Sequence, residues 1–222
     1  MEPILTILIT SYNKEKYISY ILEMLKAQNC SEIVVHIIDD GSTDSSMTII
    51  NEIVGGLQNF NIHHWDKNRG TGYTRQYALD LVDTNYFIFI DADDMIVEDY
   101  VLTLLNTIKE DNTADIHQFS ARVYPLGGTL SNDFALWDKI ISKDFLVKNN
   151  ITFNSELTNM EDYNLRIRIN KVSCKEIHHE KIIYIYNLLA EDTITHEKPI
   201  WYNHGLEDMR TECDPGIEIY NQ

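Results

Sequence analysis

The sequence predicts an α/β protein: a mostly parallel, Rossmann-like central sheet with helices on both faces, in a single domain with a C-terminal extension. Three observations carry this. Apolar runs of strand length alternate with 3.6-residue helical patterns from residue 4 to residue 108. Three of those strands end in polar clusters, beginning at Thr10, Asp39 and Asp91. The chain has 222 residues, 44% of them apolar and 24% charged, enough for one full core without disulfide or metal staples.

In order, residues 4–10 form a β-rich run followed by Ser11, Tyr12 and Asn13, and then Ile18, Ile21, Leu22 and Leu25 recur at the spacing of one helix face. Residues 33–38 make a second strand ending in Asp39 and Asp40; Gly41 to Asp44 are turn and capping residues before a helical stretch at 47–54. A shorter strand spans 60–65, and a loop from Gly70 runs into a helix with Tyr77, Ala78 and Leu81 on one face. Residues 86–90 are a continuous apolar strand ending in Asp91-Ala92-Asp93-Asp94, and Val101, Leu104, Leu105 and Ile108 mark the next helix. In open parallel sheets ligands lie outside the carboxyl ends of the strands, so the three polar loops are expected to converge on one crevice.

After Asp115 the pattern changes to a strand at 116–124, a Gly127-Gly128 turn, an aromatic stretch through Trp137, helices at 142–149 and 161–170, and a strand at 176–186. The chain thus divides into residues 1–115, residues 116–190 and a short acidic, aromatic tail or lid at 191–222, with one compact domain overall.

Charge narrows the partners. Against 35 acidic residues stand 18 Lys and Arg, a formal charge of −17, which argues against nucleic acid and against an anionic membrane surface. A polyanionic ligand would have to be met by a metal ion or by a local cluster of cations. Cys30, Cys174 and Cys213 are dispersed and form no CxxC pair, and no secretory start or span of about 20 apolar residues is present. The expectation is a cytoplasmic protein without a transmembrane segment, at most peripheral at the membrane through an acceptor or partner.

Asp91 and Asp93, two apart at a buried strand end, suit a hard divalent cation; the alternative is a helix-capping, solvated acidic turn. A calcium EF-hand is excluded, because Ile96 stands where that loop needs Gly. The Asp39-Asp40-Gly41-Ser42 turn could accept from a ring N–H of a bound base or simply cap a helix. Arg69 and Arg75 suit bidentate phosphate contact or a surface ion pair. Glu161 and Asp162 open a helix, where acids complement the dipole; Asp162 is a candidate general base if the fold brings it to the crevice. His63-His64 and His178-His179 are not metal pairs, since neighbours on a strand point to opposite faces. His196, in the tail, could reach a metal.

Together these residues resemble the family 2 glycosyltransferases of the GT-A fold. The matching elements are TSYN at Thr10 to Asn13, DDGSTD at Asp39 to Asp44, NRG at Asn68 to Gly70, DADD at Asp91 to Asp94, WDKI at Trp137 to Ile140 and MEDYNLRIR at Met160 to Arg168. The resemblance implies a nucleotide-sugar-binding half ending in the DxD motif and an acceptor-side half carrying the base. Thr10, Tyr12, Asp40, Arg69, Arg75, Asp91 and Ala92 are then expected at the donor, with Tyr12 stacking on the base and Asp40 accepting from its N–H, which suits uracil. Asp91 and Asp93 are expected at Mn2+ or Mg2+ with His196 as a further ligand, Asp162 as catalytic base, and Trp137 and Glu161 on the acceptor side.

The function implied is transfer of a single sugar, hexosyl or N-acetylhexosaminyl, from a nucleotide-diphosphate donor, UDP-sugar preferred. The receiver would be the hydroxyl of a glycan, glycolipid or protein acceptor, with inversion, in cell-surface polysaccharide or glycoconjugate synthesis. The QxxRW signature of processive synthases is absent, and the segment after Tyr186 departs from the family pattern. Two alternatives stand: a non-catalytic nucleotide-sugar-binding protein of the same fold, and a haloacid-dehalogenase-like phosphatase, whose DxD would normally open the domain.

Overall fold

The computed structural model describes residues 2–130 and 133–190. Residues 1–190 form one compact unit. Its elements are β1 (Leu5–Ser11), α1 (Ile18–Ala27), β2 (Ile33–Asp39), α2 (Ser46–Val54), β3 (Phe60–His64), α3 (Thr71–Asp80), β4 (Tyr86–Asp91), β5 (Met95–Ile96) and α4 (Tyr100–Glu110). There follow β6 (Ile116–Tyr124), β7 (Thr129–Leu130), β8 (Lys139–Ser142), α5 (Lys143–Lys148), α6 (Glu161–Asn170) and β9 (Glu176–Asn187).

The strands join one sheet in the order β3-β2-β1-β4-β8-β6-β9-β5, with β7 paired to β6. The first four are parallel, while β8 runs antiparallel to both of its neighbours. Alternation along the strands builds a core on each face. Ile7, Ile9, Ile88 and Ile90 pack with the apolar faces of α1, α2 and α4. Leu8, Phe87 and Phe89 point the other way, onto Ala78 and Leu79 of α3, Phe145 of α5, and Leu165 and Ile169 of α6. A sheet covered by helices on both sides is the architecture the sequence predicts.

The strands β5, β7 and β8 were not expected. The first two are two-residue pairings, too short to show a period. In β8 the signal is masked by Lys139, which is fully buried and paired with the equally buried Asp138 at 2.7 Å. Between β6 and β9 the ladder is irregular: Gln118 pairs with His178 but Ala121 with Tyr184, so β9 uses six steps where β6 uses three.

Among the described residues no helix is long and apolar enough to cross a membrane.

Candidate active site

Strand order reverses between β1 and β4: the chain winds outward from β1 through β2 to β3, then crosses back by α3 to enter β4 on the other side of β1. Such a switch point opens a crevice at the carboxyl ends of the two strands. Register brings the predicted loops together there, with Thr10 opposite both Ile38 and Asp91, and Ser11 opposite Asp39.

One wall is stitched by short polar side chains. Asn13, at φ +52°, donates its N–H to Ser42 Oγ and accepts from Thr43 N through Oδ1, each at 2.8 Å. Lys14 N donates to Ser46 Oγ (2.8 Å), and Glu15 N donates to Asp44 Oδ2 (3.0 Å). Asp39 is fully buried; its Oδ1 accepts from Ser42 N (2.8 Å) and lies 2.9 Å from His64 Nδ1. Gly41 sits at φ +76°, and a Cβ there would collide with the Lys67–Asn68 backbone, so only glycine lets these two loops meet.

Asp40 is 4% exposed. Its Oδ1 accepts from Trp65 Nε1 and Arg69 N, both at 2.7 Å, and its Oδ2 from Gly70 N at 3.0 Å. Three of the roughly four lone-pair positions of a carboxylate are therefore engaged. The first duty of Asp40 is to staple the loop at 68–70, and at most one position is left for a base. Tyr12, which directly follows β1, is 42% exposed. Arg69 lies over the rings of Trp65 and Tyr73, 5.2 and 4.9 Å from their centroids, and donates to Tyr73 Oη at 2.6 Å.

The acidic strand end resolves into three different environments. Asp94 is sealed: Tyr184 Oη donates to its Oδ2 (2.8 Å) and Asn187 N to its Oδ1 (2.8 Å), and burial with Asp91 nearby raises its pKa well above the usual range. Asp93 meets Lys14 Nζ at 2.9 Å, with both side chains little exposed. Asp91 accepts from Arg75 Nη2 at 2.9 Å. Burial raises the Asp91 pKa to about 6, with Arg75 opposing and Asp93 adding. Ala92 is buried in the core at 1% exposure, so its side chain offers a donor no contact surface.

Arg75 corrects the expectation of a phosphate contact. Its side chain is 10% exposed, with Nη2 on Asp91, Nη1 3.1 Å from Glu161 Oε1 and 3.9 Å from Asp162 Oδ2. It is a clamp among three carboxylates that joins the end of β4 to the start of α6. Glu161 is likewise committed, since its Oε2 accepts from Thr71 Oγ1 at 3.0 Å and it is 5% exposed. An acceptor-side contact by its carboxylate is not what this packing offers. Asp162 differs: its side chain is 34% exposed, its Oδ1 accepts from Tyr163 N at 2.7 Å, and burial in the cleft raises its pKa, Arg75 opposing and Glu161 adding. A carboxylate that is open to solvent and more basic than usual is suited to taking a proton.

Trp137 also departs from its expected place. It is 6% exposed and stacked on Tyr184 and Tyr186, with centroids 4.7 and 5.9 Å apart, which makes it core packing behind the acidic loop. His196 lies outside the described residues. The paired histidines do split across their strands: His63 Nε2 lies 3.0 Å from His36 Nδ1, whereas His64 faces Asp39. Sequence reasoning missed Lys14, Trp65, Tyr184 and Asn187. Lys14 directly follows the TSYN element and could have been flagged as a cation on that loop; the other three act through long-range contacts that have no local signature.

Among the described residues no group of three or more His, Cys, Asp and Glu could hold a metal ion. The donors at the strand end are nonetheless hard oxygens, with Asp91 the more open at 29% side-chain exposure and Asp93 beside it under Lys14. Such a set fits a divalent cation that takes one or two carboxylates from the protein and completes its shell with phosphate and water.

A family model described as glycosyl transferase family 2 matches residues 6–172. The teichoic acid poly(glycerol phosphate) polymerase of Staphylococcus epidermidis is 33% identical over 187 residues, 82% of this chain and 24% of the polymerase. The chain therefore spans about a quarter of that relative. The crystal structure of S. aureus TarS 1-349 superposes with a TM-score of 0.73 at 22% identity over 83% of this chain and 60% of that one; TarS has also been crystallised with UDP and with UDP-GlcNAc. A mannosyltransferase from Pyrobaculum calidifontis, crystallised with GDP-Man and Mn2+, gives 0.69 at 13% identity, over 86% of this chain and 59% of its own. These likenesses show that the fold is that of GT-A glycosyltransferases.

Proposed function

The chain belongs to glycosyl transferase family 2, and on that premise we propose that it transfers a single sugar from a nucleotide-diphosphate donor, UDP-sugar preferred, to an acceptor hydroxyl with inversion. The observation that carries this reading is the Arg75 clamp. One guanidinium donates to Asp91 at the end of β4 and pairs at 3.1 Å with Glu161 at the start of α6, which leaves the adjoining, partly open Asp162 within 3.9 Å of the same cation.

Tyr12 offers its exposed ring to the base, and the remaining position on Asp40 would accept from a base N–H. Arg69, presented on Trp65 and Tyr73, supplies a cation at the same mouth. Asp93 and Asp91 would hold Mn2+ or Mg2+ together with the donor's phosphates, and that cation, when bound, offsets the negative charge growing on the departing diphosphate. Asp162 takes the proton of the acceptor hydroxyl as the oxygen attacks the anomeric carbon, and its raised pKa favours that transfer. The nearby Arg75 cation, 3.9 Å away, opposes that rise and so favours the ionised form of Asp162. Because attack and departure occur on opposite faces, one displacement inverts the carbon.

The teichoic acid polymerase relative supports a place in cell-surface polymer or glycoconjugate synthesis, with a glycan, glycolipid or protein as acceptor. The test is a panel of nucleotide sugars with Mn2+, Mg2+ or chelator, read by donor hydrolysis and thermal shift. We expect one UDP-sugar to raise the melting temperature and to be slowly hydrolysed with metal and not with chelator. Stabilisation by no donor, or phosphate release from simple esters without nucleotide, would overturn the reading.

A further inference from the structure

We propose that Lys14 is the resident counter-cation of Asp93 in the ligand-free protein and that its ammonium is released to contact the diphosphate when a nucleotide arrives with its metal. The inference rests on the nucleotide-diphosphate reading above.

The geometry points to it in three ways. First, Lys14 Nζ stands 2.9 Å from Asp93 Oδ2, with side-chain exposures of 13% and 12%, so the ammonium covers the carboxylate that a cation at the strand end would share with Asp91. Second, the backbone that delivers it is fixed. Asn13 turns the chain at φ +52° under bonds to Ser42 and Thr43, and Lys14 N is tied to Ser46 Oγ, so the side chain reaches from the β1 loop across the crevice to the β4 loop. Third, the two arginines sit elsewhere: Arg75 is buried against Asp91 and Glu161, and Arg69 is an exposed cation lying against Trp65 and Tyr73, whereas Lys14 is the cation placed on Asp93.

Lys differs from both arginines in kind. Its compact ammonium sits on a flexible four-carbon stem with three rotatable donors, so it can move from a carboxylate to a phosphate oxygen within the same cleft. Before a donor binds, Lys14 relieves the repulsion among Asp91, Asp93 and Asp94. Once Asp93 is taken by a divalent cation, the ammonium is displaced toward the incoming negative charge. Lys14 thereby opposes metal without nucleotide and favours metal with nucleotide.

The two effects have opposite signs, which a merely structural residue would not produce. The experiment uses the full chain: wild type, Lys14→Met and Lys14→Gln, with Lys26→Met, a surface lysine 3.6 Å from Glu23, as control. Mn2+ is titrated alone and followed by electron paramagnetic resonance, and UDP is titrated calorimetrically at saturating Mn2+. Removing the ammonium is expected to tighten Mn2+ alone by about fivefold or more, the upper end of the range for exposed ion pairs, since this pair is largely shielded from water. It is expected to weaken UDP by about tenfold or more, as for loss of a charge-assisted hydrogen bond.

Circular dichroism checks that each variant is folded, and Lys14→Gln, which stays polar, carries the test if the Met variant is not. Unchanged Mn2+ affinity, or a parallel loss of both ligands, overturns the Lys14 proposal while UDP binding by the wild type leaves the functional reading standing. Failure of the wild type to bind UDP with any metal overturns both.

Discussion

Replacing Arg75 by Met removes one cation from among three carboxylates, and the cost can be worked from the contacts. Glu161 is the most exposed to the loss, because its side chain is only 6% accessible and its pair with Arg75 is buried. Breaking a buried pair from one side costs about 3–5 kcal/mol, chiefly the penalty of the stranded charge. Asp91 and Asp162, at 29% and 34% exposure, are rehydrated in part, so each adds on the order of 1 kcal/mol or less. Protonation offers an escape, since the Asp91 pKa already lies at about 6 and would rise further without Arg75.

The expected loss at pH 7.5 is therefore about 3–4 kcal/mol, against a total near 5–15 kcal/mol for a domain of this kind, so the variant still folds. The sign with pH follows. Carboxylates whose folded pKa is raised are relatively stabilising at low pH and become costly as pH rises through that value. Arg75→Met should thus lose less at pH 5 than at pH 8. Urea unfolding followed by circular dichroism measures both, and the Arg75→Met, Glu161→Gln double variant should recover about 1–3 kcal/mol of coupling. A loss below about 1 kcal/mol, or one equal at pH 5 and pH 8, would refute the clamp.

Three further outcomes are expected. Asp162→Asn should keep UDP affinity in a calorimetric titration but lose transfer, and the wild-type rate should fall on the acid side through a pKa above the ordinary 3.8; near-normal transfer by the variant counts against the assignment. His36 is held to a pKa of about 4, by burial first and then the neighbouring His63, with Asp83 opposing, against 6.5 when unfolded. A depressed folded pKa means stability present above pH 6.5 and lost toward pH 4, so His36→Leu should remove about 2 kcal/mol of the decline in urea-measured stability between pH 7.5 and pH 5. Trp137→Ala should cost about 3–5 kcal/mol in the same assay, since the ring is stacked within the core; a cost under 1 kcal/mol would return Trp137 to a surface role.

The parallel half was legible because its signals are local. Ile7, Leu8 and Ile9 are buried on alternating sides of one strand, and each of the three polar loops follows directly on an apolar run. Motif order likewise pointed to Asp91, Asp93 and Asp162, acids that the fold places around Arg75 and Lys14. What each charge does was not legible, because that depends on which long-range partner reaches it first. Arg75 shows the reason: in the sequence it is a cation near phosphate-binding motifs, but α3 turns it inward with Thr74, Ala78 and Leu79, and three acids meet it there. Asp94 and Asp40 are spent on Tyr184, Asn187 and the backbone at 69–70, contacts across 29 to 93 residues of chain. Lys139 hid β8 because a charge buried beside its own counter-charge looks like a surface position in a one-dimensional pattern.

The irregular pairing of β9 with β6 carries a consequence for how this chain can change length. Between His178 and Tyr184 the strand holds three residues more than its partner needs, and three is odd. Side chains alternate along a strand, so an odd excess inverts which of them face each side beyond the bulge. That inversion aims the Tyr184 hydroxyl at Asp94 and lays its ring on Trp137. Deleting one residue between 178 and 184 would swing Tyr184 to the opposite side of the sheet, whereas removing two would preserve its aim. Descendants of this sequence should tolerate length changes in that segment by even numbers, a parity rule imposed on evolution by one hydroxyl.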